Sequence, residues 1–168
     1  MSQLAKNKRS LTSIDMFAGC GGLSLGLKKA EFHLLMANEL SPMAAESFAY
    51  NLLDDDLEVL GEKHEHPKKT VWLNSNFEDL SSRLCENPFT SPKRGEGYSD
   101  IYDKKVDLTG KLVIADIVQL NEVIKKNNFY RKAFDNNFFG QKVDLISGGP
   151  PCQSFSMVGL REKNCDKN

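Results

Sequence analysis

The feature that most constrains this chain is a glycine cluster set between a strand and a helix. Leu11-Thr12-Ser13-Ile14-Asp15-Met16-Phe17 has the apolar, β-branched character of a buried strand and runs directly into Ala18-Gly19-Cys20-Gly21-Gly22. Leu23, Leu27 and Ala30 then recur at helical spacing. A turn so poor in side chains lets the backbone approach a ligand closely, and its place between strand and helix is the carboxyl edge of an open α/β sheet.

The next apolar run, Phe32 to Ala37, predicts a second strand that ends in Asn38-Glu39. A carboxylate at the tip of that strand is where nucleotide-binding sheets engage ribose hydroxyls. A dinucleotide fold would account for both features, but its fingerprint is Gly-x-Gly-x-x-Gly/Ala, and the residue three after Gly21 is Ser24. Glycines bunched as Gly19-x-Gly21-Gly22 suit a nucleoside ligand without phosphates better than a pyrophosphate. S-adenosylmethionine has that chemistry.

Ser41-Pro42 reads as an N-cap and first helical position, and Ala45, Phe48, Ala49 and Leu52 give the helix an apolar face that runs to about Asp54. Periodicity then fades from about 55 to 111, a stretch that holds His64-Glu65-His66-Pro67 and a short helix near Phe77 to Leu84. It is expected to be an insertion, part of which packs as a small subelement. Lys111 to Ala115 predicts the third strand, followed by Asp116-Ile117 and a helix in which Ile117, Leu120 and Ile124 share a face. An aromatic-bearing connection, Phe129 to Phe139, is expected to pack rather than to stack on bases. Lys142 to Ser147 predicts the fourth strand, with Val143, Leu145 and Ile146 buried. The expected fold is therefore α/β, a doubly wound and mostly parallel Rossmann-like sheet with Gly19, Glu39, Asp116 and Cys152 arising at one rim.

That last strand stops in Gly148-Gly149-Pro150-Pro151 and presents Cys152. Each proline fixes its own φ at about −65° and restricts the residue before it, so the thiol is held in place. A buried structural cysteine would need neither the two prolines nor the polar Gln153-Ser154 that follows. Gly149-Pro150-Pro151-Cys152-Gln153-Ser154-Phe155-Ser156 closely resembles the Pro-Cys-Gln catalytic motif of the cytosine-C5 DNA methyltransferases, and Asp15-Met16-Phe17-Ala18-Gly19-Cys20-Gly21-Gly22-Leu23-Ser24 resembles the first motif of the same family.

The resemblance implies a DNA (cytosine-5-)-methyltransferase of the restriction-modification kind, with S-adenosylmethionine as methyl donor and double-stranded DNA as partner. By that resemblance Cys152 is the catalytic nucleophile, and Pro151, Gln153 and Ser156 contact the target base or begin the loop that closes on it. Phe17, Ala18, Gly19, Gly21, Gly22 and Leu23 would line the cofactor, Glu39 would hold its ribose, and Asp116 with Ile117 would meet its adenine. Many members carry a tryptophan after the acidic residue, where this chain has Leu40, so apolar contact without full stacking is expected there. The family's Glu-Asn-Val motif, its Gln-x-Arg-x-Arg motif and a target-recognition domain are absent from residues 1–168. The sheet is accordingly expected to be incomplete at its C-terminus and the chain to be a fragment, or one subunit completed by a C-terminal partner, inactive alone. A tRNA cytosine-C5 methyltransferase fragment and a noncatalytic remnant that binds cofactor or a partner are the alternatives.

Composition excludes more than it assigns. The four cysteines, Cys20, Cys85, Cys152 and Cys165, form no Cys-x-x-Cys pair, which gives no disulfide framework and no cysteine zinc site. His64 and His66 lack further ligands at suitable spacing, so no metal is expected. The polar, basic N-terminus has no leader-like apolar core, and no apolar run reaches the roughly 20 residues of a membrane span, so a cytoplasmic protein is expected. A net charge of −1 neither requires nor excludes nucleic acid.

Overall fold

The computed structural model describes residues 10–90, 92, 95–102, 104–135 and 137–150. Pro151, Cys152, Gln153 and Ser156 lie outside the described residues. Five strands form one sheet: β1 (Leu11–Met16), β2 (Phe32–Glu39), β3 (Thr70–Trp72), β4 (Lys111–Ile114) and β5 (Leu145–Gly148). Their spatial order is β3-β4-β2-β1-β5, and every pairing is parallel. Parallel strands need crossovers, and these are supplied by α1 (Gly22–Lys29), α2 (Pro42–Phe48), α3 (Leu57–Glu62), α4 (Leu80–Leu84), α5 (Ile117–Lys126) and α6 (Asn128–Asp135).

Strand alternation divides the core between the two faces. Leu112 and Ile114 join Ala37 and Trp72 in a cluster with Ala45, Phe48, Leu57 and Leu80, whereas Val113 and Ala115 join Ile14, Leu35 and Val71 with Leu120, Val123, Tyr130 and Phe138. Helices α2, α3 and α4 thus cover one face and α5 and α6 the other, which is the doubly wound, Rossmann-like α/β arrangement that the sequence predicts.

The irregular stretch holds more than was expected of it. Residues 55–111 contribute α3, α4 and the edge strand β3, giving five strands where the sequence suggests four. Three residues, Thr70-Val71-Trp72, are too few for alternation to show in the sequence, yet all three are buried. The outer edge of β3 is sealed by Asp100, whose Oδ2 accepts the Trp72 N–H at 2.9 Å while its own N–H donates to the Trp72 carbonyl at 2.8 Å. Arg83 Nη1 lies 3.0 Å from that carboxylate and its Nε donates to the Phe77 carbonyl at 2.9 Å. An edge occupied in this way is not open to another strand.

Two further expectations are corrected, on β5 and on α1, while the aromatic connection packs as expected. Strand β5 begins at Leu145 rather than Lys142, and Ile146 is 68% exposed because β5 is an edge strand with no described element over that face. On α1 it is Ser24 that turns inward, while Leu23 is 50% exposed and Ala30 lies at the exposed C-terminal end. The aromatic connection contains α6, and its rings pack edge to face: the Phe129–Tyr130, Phe134–Phe138 and Phe138–Phe139 centroids are 5.1, 5.1 and 5.0 Å apart. The fully buried Tyr130 places its hydroxyl 3.1 Å from the Ile101 carbonyl and 3.0 Å from that of Lys104, tying the segment before β4 to this face.

Candidate functional site

Successive strands end level with one another. Met16 pairs with Asn38 on one side and Gly148 on the other, and Glu39 pairs with Ile114. The turn after β1, the carboxylate ending β2, Asp116 after β4 and the segment that follows β5 toward Cys152 therefore all start from one rim. Asn38 fixes that rim further by donating from Nδ2 to the carbonyls of Val113 and Ala115 at 3.1 and 3.0 Å. From β1 the chain crosses toward β2, β4 and β3, and only after α6 does it return to the far side of β1. The crevice between β1 and β5 is thus the topological switch point, the place where open α/β sheets bind ligands.

The turn itself is strained and specific. Phe17 has φ +56°, a left-handed conformation that costs a non-glycine residue about 1–2 kcal/mol, and Gly19 and Gly21 follow with φ +54° and +88°. A Cβ on Gly21 would fall 2.5 Å from Leu52 Cδ1 and 2.9 Å from Phe48 Cδ2, so the end of α2 and the helical turn that continues it pack directly against this glycine. Above Gly19 and Gly22 the space is open, with no atom within 4 Å of a notional Cβ.

Glu39 closes the turn from below. Its Oε2 accepts the Gly19 N–H and its Oε1 the Ser41 N–H, both at 2.8 Å. Ala18 N–H donates to the Asn38 carbonyl and Gly21 N–H to the Ala18 carbonyl, each at 3.0 Å. A phosphate cradle needs free amides and positive potential; here three of the turn's amides are taken and a carboxylate stands against it. A nucleoside ligand without phosphate fits, since a carboxylate retains lone pairs for ribose hydroxyls.

Asp116 caps α5 through Oδ1, which accepts from Val118 and Gln119 N–H at 2.8 and 3.0 Å and leaves Oδ2 outside the cap. Leu40 and Asp116 line one cleft together with Pro42, Trp72, Asn74, Glu86 and Pro88, and Ile117 opens the helix beside it. Trp72 and Asn74 were not legible as site residues because Trp72 ends the strand that the sequence pattern hides and Asn74 follows two residues after it. Ser24 and Ser147 were missed as well: both hydroxyls donate to Asp15, at 2.5 and 3.0 Å. The sequence signal for Asp15 was its place at the head of the string Asp15 to Ser24 that resembles the family's first motif.

His64 and His66 lie at the opposite rim, in a cleft of about 420 Å³ shared with Lys68, Lys104 and Lys111. Among the described residues no group of three or more His, Cys, Asp and Glu side chains is placed to hold a metal ion, and no described helix is long and apolar enough to cross a membrane.

The profile of the C-5 cytosine-specific DNA methylases matches residues 11–78 and 95–168, so of the chain from Leu11 onward only residues 79–94, which include α4, fall outside it. The chain is 30% identical over 157 residues to DNA (cytosine-5)-methyltransferase 3 of Arabidopsis thaliana, covering 93% of this chain and 9% of that protein. It is 26% identical over 162 residues to a type II methyltransferase of Bacillus paralicheniformis (87% and 32%). A type II methyltransferase of Haemophilus parahaemolyticus is 27% identical over 150 residues (89% and 23%). The chain thus spans less than a third of the length of each of these relatives.

Proposed function

Because this chain belongs to the C-5 cytosine-specific DNA methylase family, we propose that it forms the cofactor and nucleophile half of an enzyme that methylates C5 of cytosine in double-stranded DNA, within a restriction-modification system. The observation that supports the reading best is the glycine turn of residues 17–23 closed by the Glu39 carboxylate, on the rim where β5 ends at Gly148, four residues before Cys152 in the sequence.

C5 of cytosine is a weak nucleophile within an aromatic ring. Addition of the Cys152 thiolate to C6 makes C5 an enamine carbon able to attack an electrophile, and loss of the C5 proton with elimination of the thiolate restores the ring. S-adenosylmethionine supplies a methyl group activated by its sulfonium when bound. Glu39 would orient the ribose through its hydroxyls, Asp116 Oδ2 and the Ile117 backbone would meet the adenine edge, and Leu40 would cover its face. Pro151, Gln153 and Ser156 would shape the side of the site that receives the base. A free cysteine with a pKa of about 8.5 is only a few per cent thiolate at neutral pH, so Cys152 requires a nearby positive potential or proton acceptor. The target base must leave the duplex stack at a cost of a few kcal/mol, on the order of what flipping requires, offset by DNA contacts. Those contacts, and the acid of the Glu-Asn-Val motif, would come from a C-terminal half or a complementing subunit.

The test pairs residues 1–168 with a polypeptide that carries the Glu-Asn-Val and Gln-x-Arg-x-Arg motifs, encoded next to this segment, and offers duplex DNA containing 5-fluorocytosine with the methyl donor. A covalent adduct that disappears with Cys152→Ser is expected. An adduct that survives that substitution, or one formed on tRNA and not on duplex DNA, contradicts the proposal.

A further inference from the structure

A cavity of about 340 Å³ lies at the amino-terminal ends of the strands, between α1, the first residues of β2 and the π-helical turn Ala49–Leu53 that continues α2. Its size falls within the range of small-molecule sites, roughly 300–1,000 Å³. The wall is apolar: Phe32 and Leu34 come from one face of β2, Leu52 and Leu53 from the π-helical turn, and Gly110 from the residue before β4. Leu34 and Leu52 pack against the core cluster under α2 yet are only half-buried, so the cluster presents apolar surface to this cavity.

The charged groups around it are of one sign. Lys28 in the last turn of α1, His33 in β2 and Lys69 just before β3 are all exposed and so mark the mouth, and Ser24 is the remaining polar side chain. Among the described residues no Asp or Glu lines the cavity. The larger cleft that holds His64 differs in this respect, because its Lys68, Arg83, Lys104 and Lys111 are matched by Glu65, Glu78, Asp79 and Asp100.

The hydrogen bonds assign the two ends different tasks. Lys69 Nζ donates to the Leu53 carbonyl at 2.9 Å, which holds one ammonium at the margin of the apolar wall. Asp55 is taken up by the Lys69 N–H at 2.8 Å and the Thr70 hydroxyl at 3.3 Å. Ser24 Oγ gives its proton to Asp15 at 2.5 Å, so the buried end beside the first turn of α1 has no hydroxyl donor for an anion. Cations at the mouth and apolar surface within select an amphipathic anion whose head faces outward.

We propose that this cavity binds a small carboxylate on an apolar acyl or aryl body, with the carboxylate at the Lys28 and Lys69 ammonium groups and the body against Phe32, Leu34, Leu52 and Leu53. The site is separate from the glycine turn and does not rest on the methyl-donor reading.

The experiment follows amide chemical shifts of the ¹⁵N-labelled 168-residue chain against three probes. Octanoate has body and charge, octanamide has the body alone, and inorganic phosphate has charge without the body. Octanoate is expected to give saturable shifts centred on Lys28, His33, Leu34, Leu53 and Gly110. Octanamide is expected to bind the same residues about fivefold more weakly, the size of effect that exposed ion pairs produce, and phosphate to give no saturable shift at the same concentrations. Lys28→Glu, at the exposed end of α1, should weaken octanoate about tenfold and octanamide by no more than about twofold. Equal affinities for octanoate and octanamide, or an octanoate affinity that Lys28→Glu leaves unchanged, overturn the role given to the cations. Saturation by phosphate at these residues overturns the role given to the apolar wall. Octanoate shifts centred on His64 and Lys111, or none that saturate, overturn the site itself.

Discussion

Glu39 Oε2 accepts the Gly19 N–H at 2.8 Å, so the end of β2 holds the turn that follows β1. With Oε1 on the Ser41 N–H, the same carboxylate also starts α2, although Ser41 makes no side-chain cap of its own. Glu39→Gln keeps one acceptor and turns an amide N–H₂ toward a backbone donor. It is expected to cost about 1 kcal/mol, because one half-buried donor loses its partner, and to weaken S-adenosylmethionine binding more than Glu39→Asp does. Urea unfolding and calorimetric titration of the three proteins check this.

The two glycines with positive φ in the turn separate backbone strain from steric conflict. Gly19→Ala meets open space and should lose only the left-handed penalty, about 1–2 kcal/mol. Gly21→Ala adds a clash with Leu52 and Phe48 and should lose a further 1–3 kcal/mol, roughly the cost of overpacking. Denaturation midpoints for the pair should differ accordingly, and equal losses would mean that α2 gives way freely.

Arg83, which lies within the unmatched residues 79–94, and Asp100, which follows them, seal the β3 edge together. The Arg83 side chain is 9% exposed and its guanidinium carbon sits 5.5 Å from the Trp72 ring centroid. Asp100→Ala leaves that guanidinium buried without its partner and frees the Trp72 N–H, and should cost about 3–5 kcal/mol. Hydrogen exchange at the Trp72 amide should accelerate far more than exchange in β1 or β2.

Burial raises the Tyr130 phenol above its ordinary value of 10.0, outweighing the opposing hydrogen bond from the Val106 N–H. A folded-state pKa above the unfolded one means that the neutral phenol's contribution is intact below pH 10 and is lost as pH rises through the higher folded-state pKa. Stability should fall on the alkaline side of pH 10, and Tyr130→Phe should remove that part of the slope while costing about 1–3 kcal/mol at neutral pH for the hydrogen bonds lost to Ile101 and Lys104. Thermal unfolding of both proteins between neutral pH and pH 11 measures it.

The sequence exposed those parts of the fold in which one residue type has one physical explanation. A glycine bunch after a strand, an acid at a strand tip and an Asp before a helix each announce a rim position without reference to the rest of the chain. What stayed hidden depended on tertiary neighbours. Thr70-Val71-Trp72 is too short for a period, and its strand character comes from Asp100 and β4 on its two sides. Ile146 looks like a core residue because the sequence does not state that β5 is an edge. Ser147 carries no signal, and Ser24 none for this contact, since their role exists only once β1, α1 and β5 meet at Asp15.

Amide chemical-shift mapping tests the central claim most directly. Titrating ¹⁵N-labelled residues 1–168 with S-adenosylhomocysteine should move the amides of Gly19, Gly21, Gly22, Leu40 and Ile117 together, at the rim shared by Glu39 and Asp116. Shifts confined to His64, Lys68 and Lys111 at the opposite rim, or none anywhere at millimolar ligand, would contradict the assignment of this turn as the methyl-donor site.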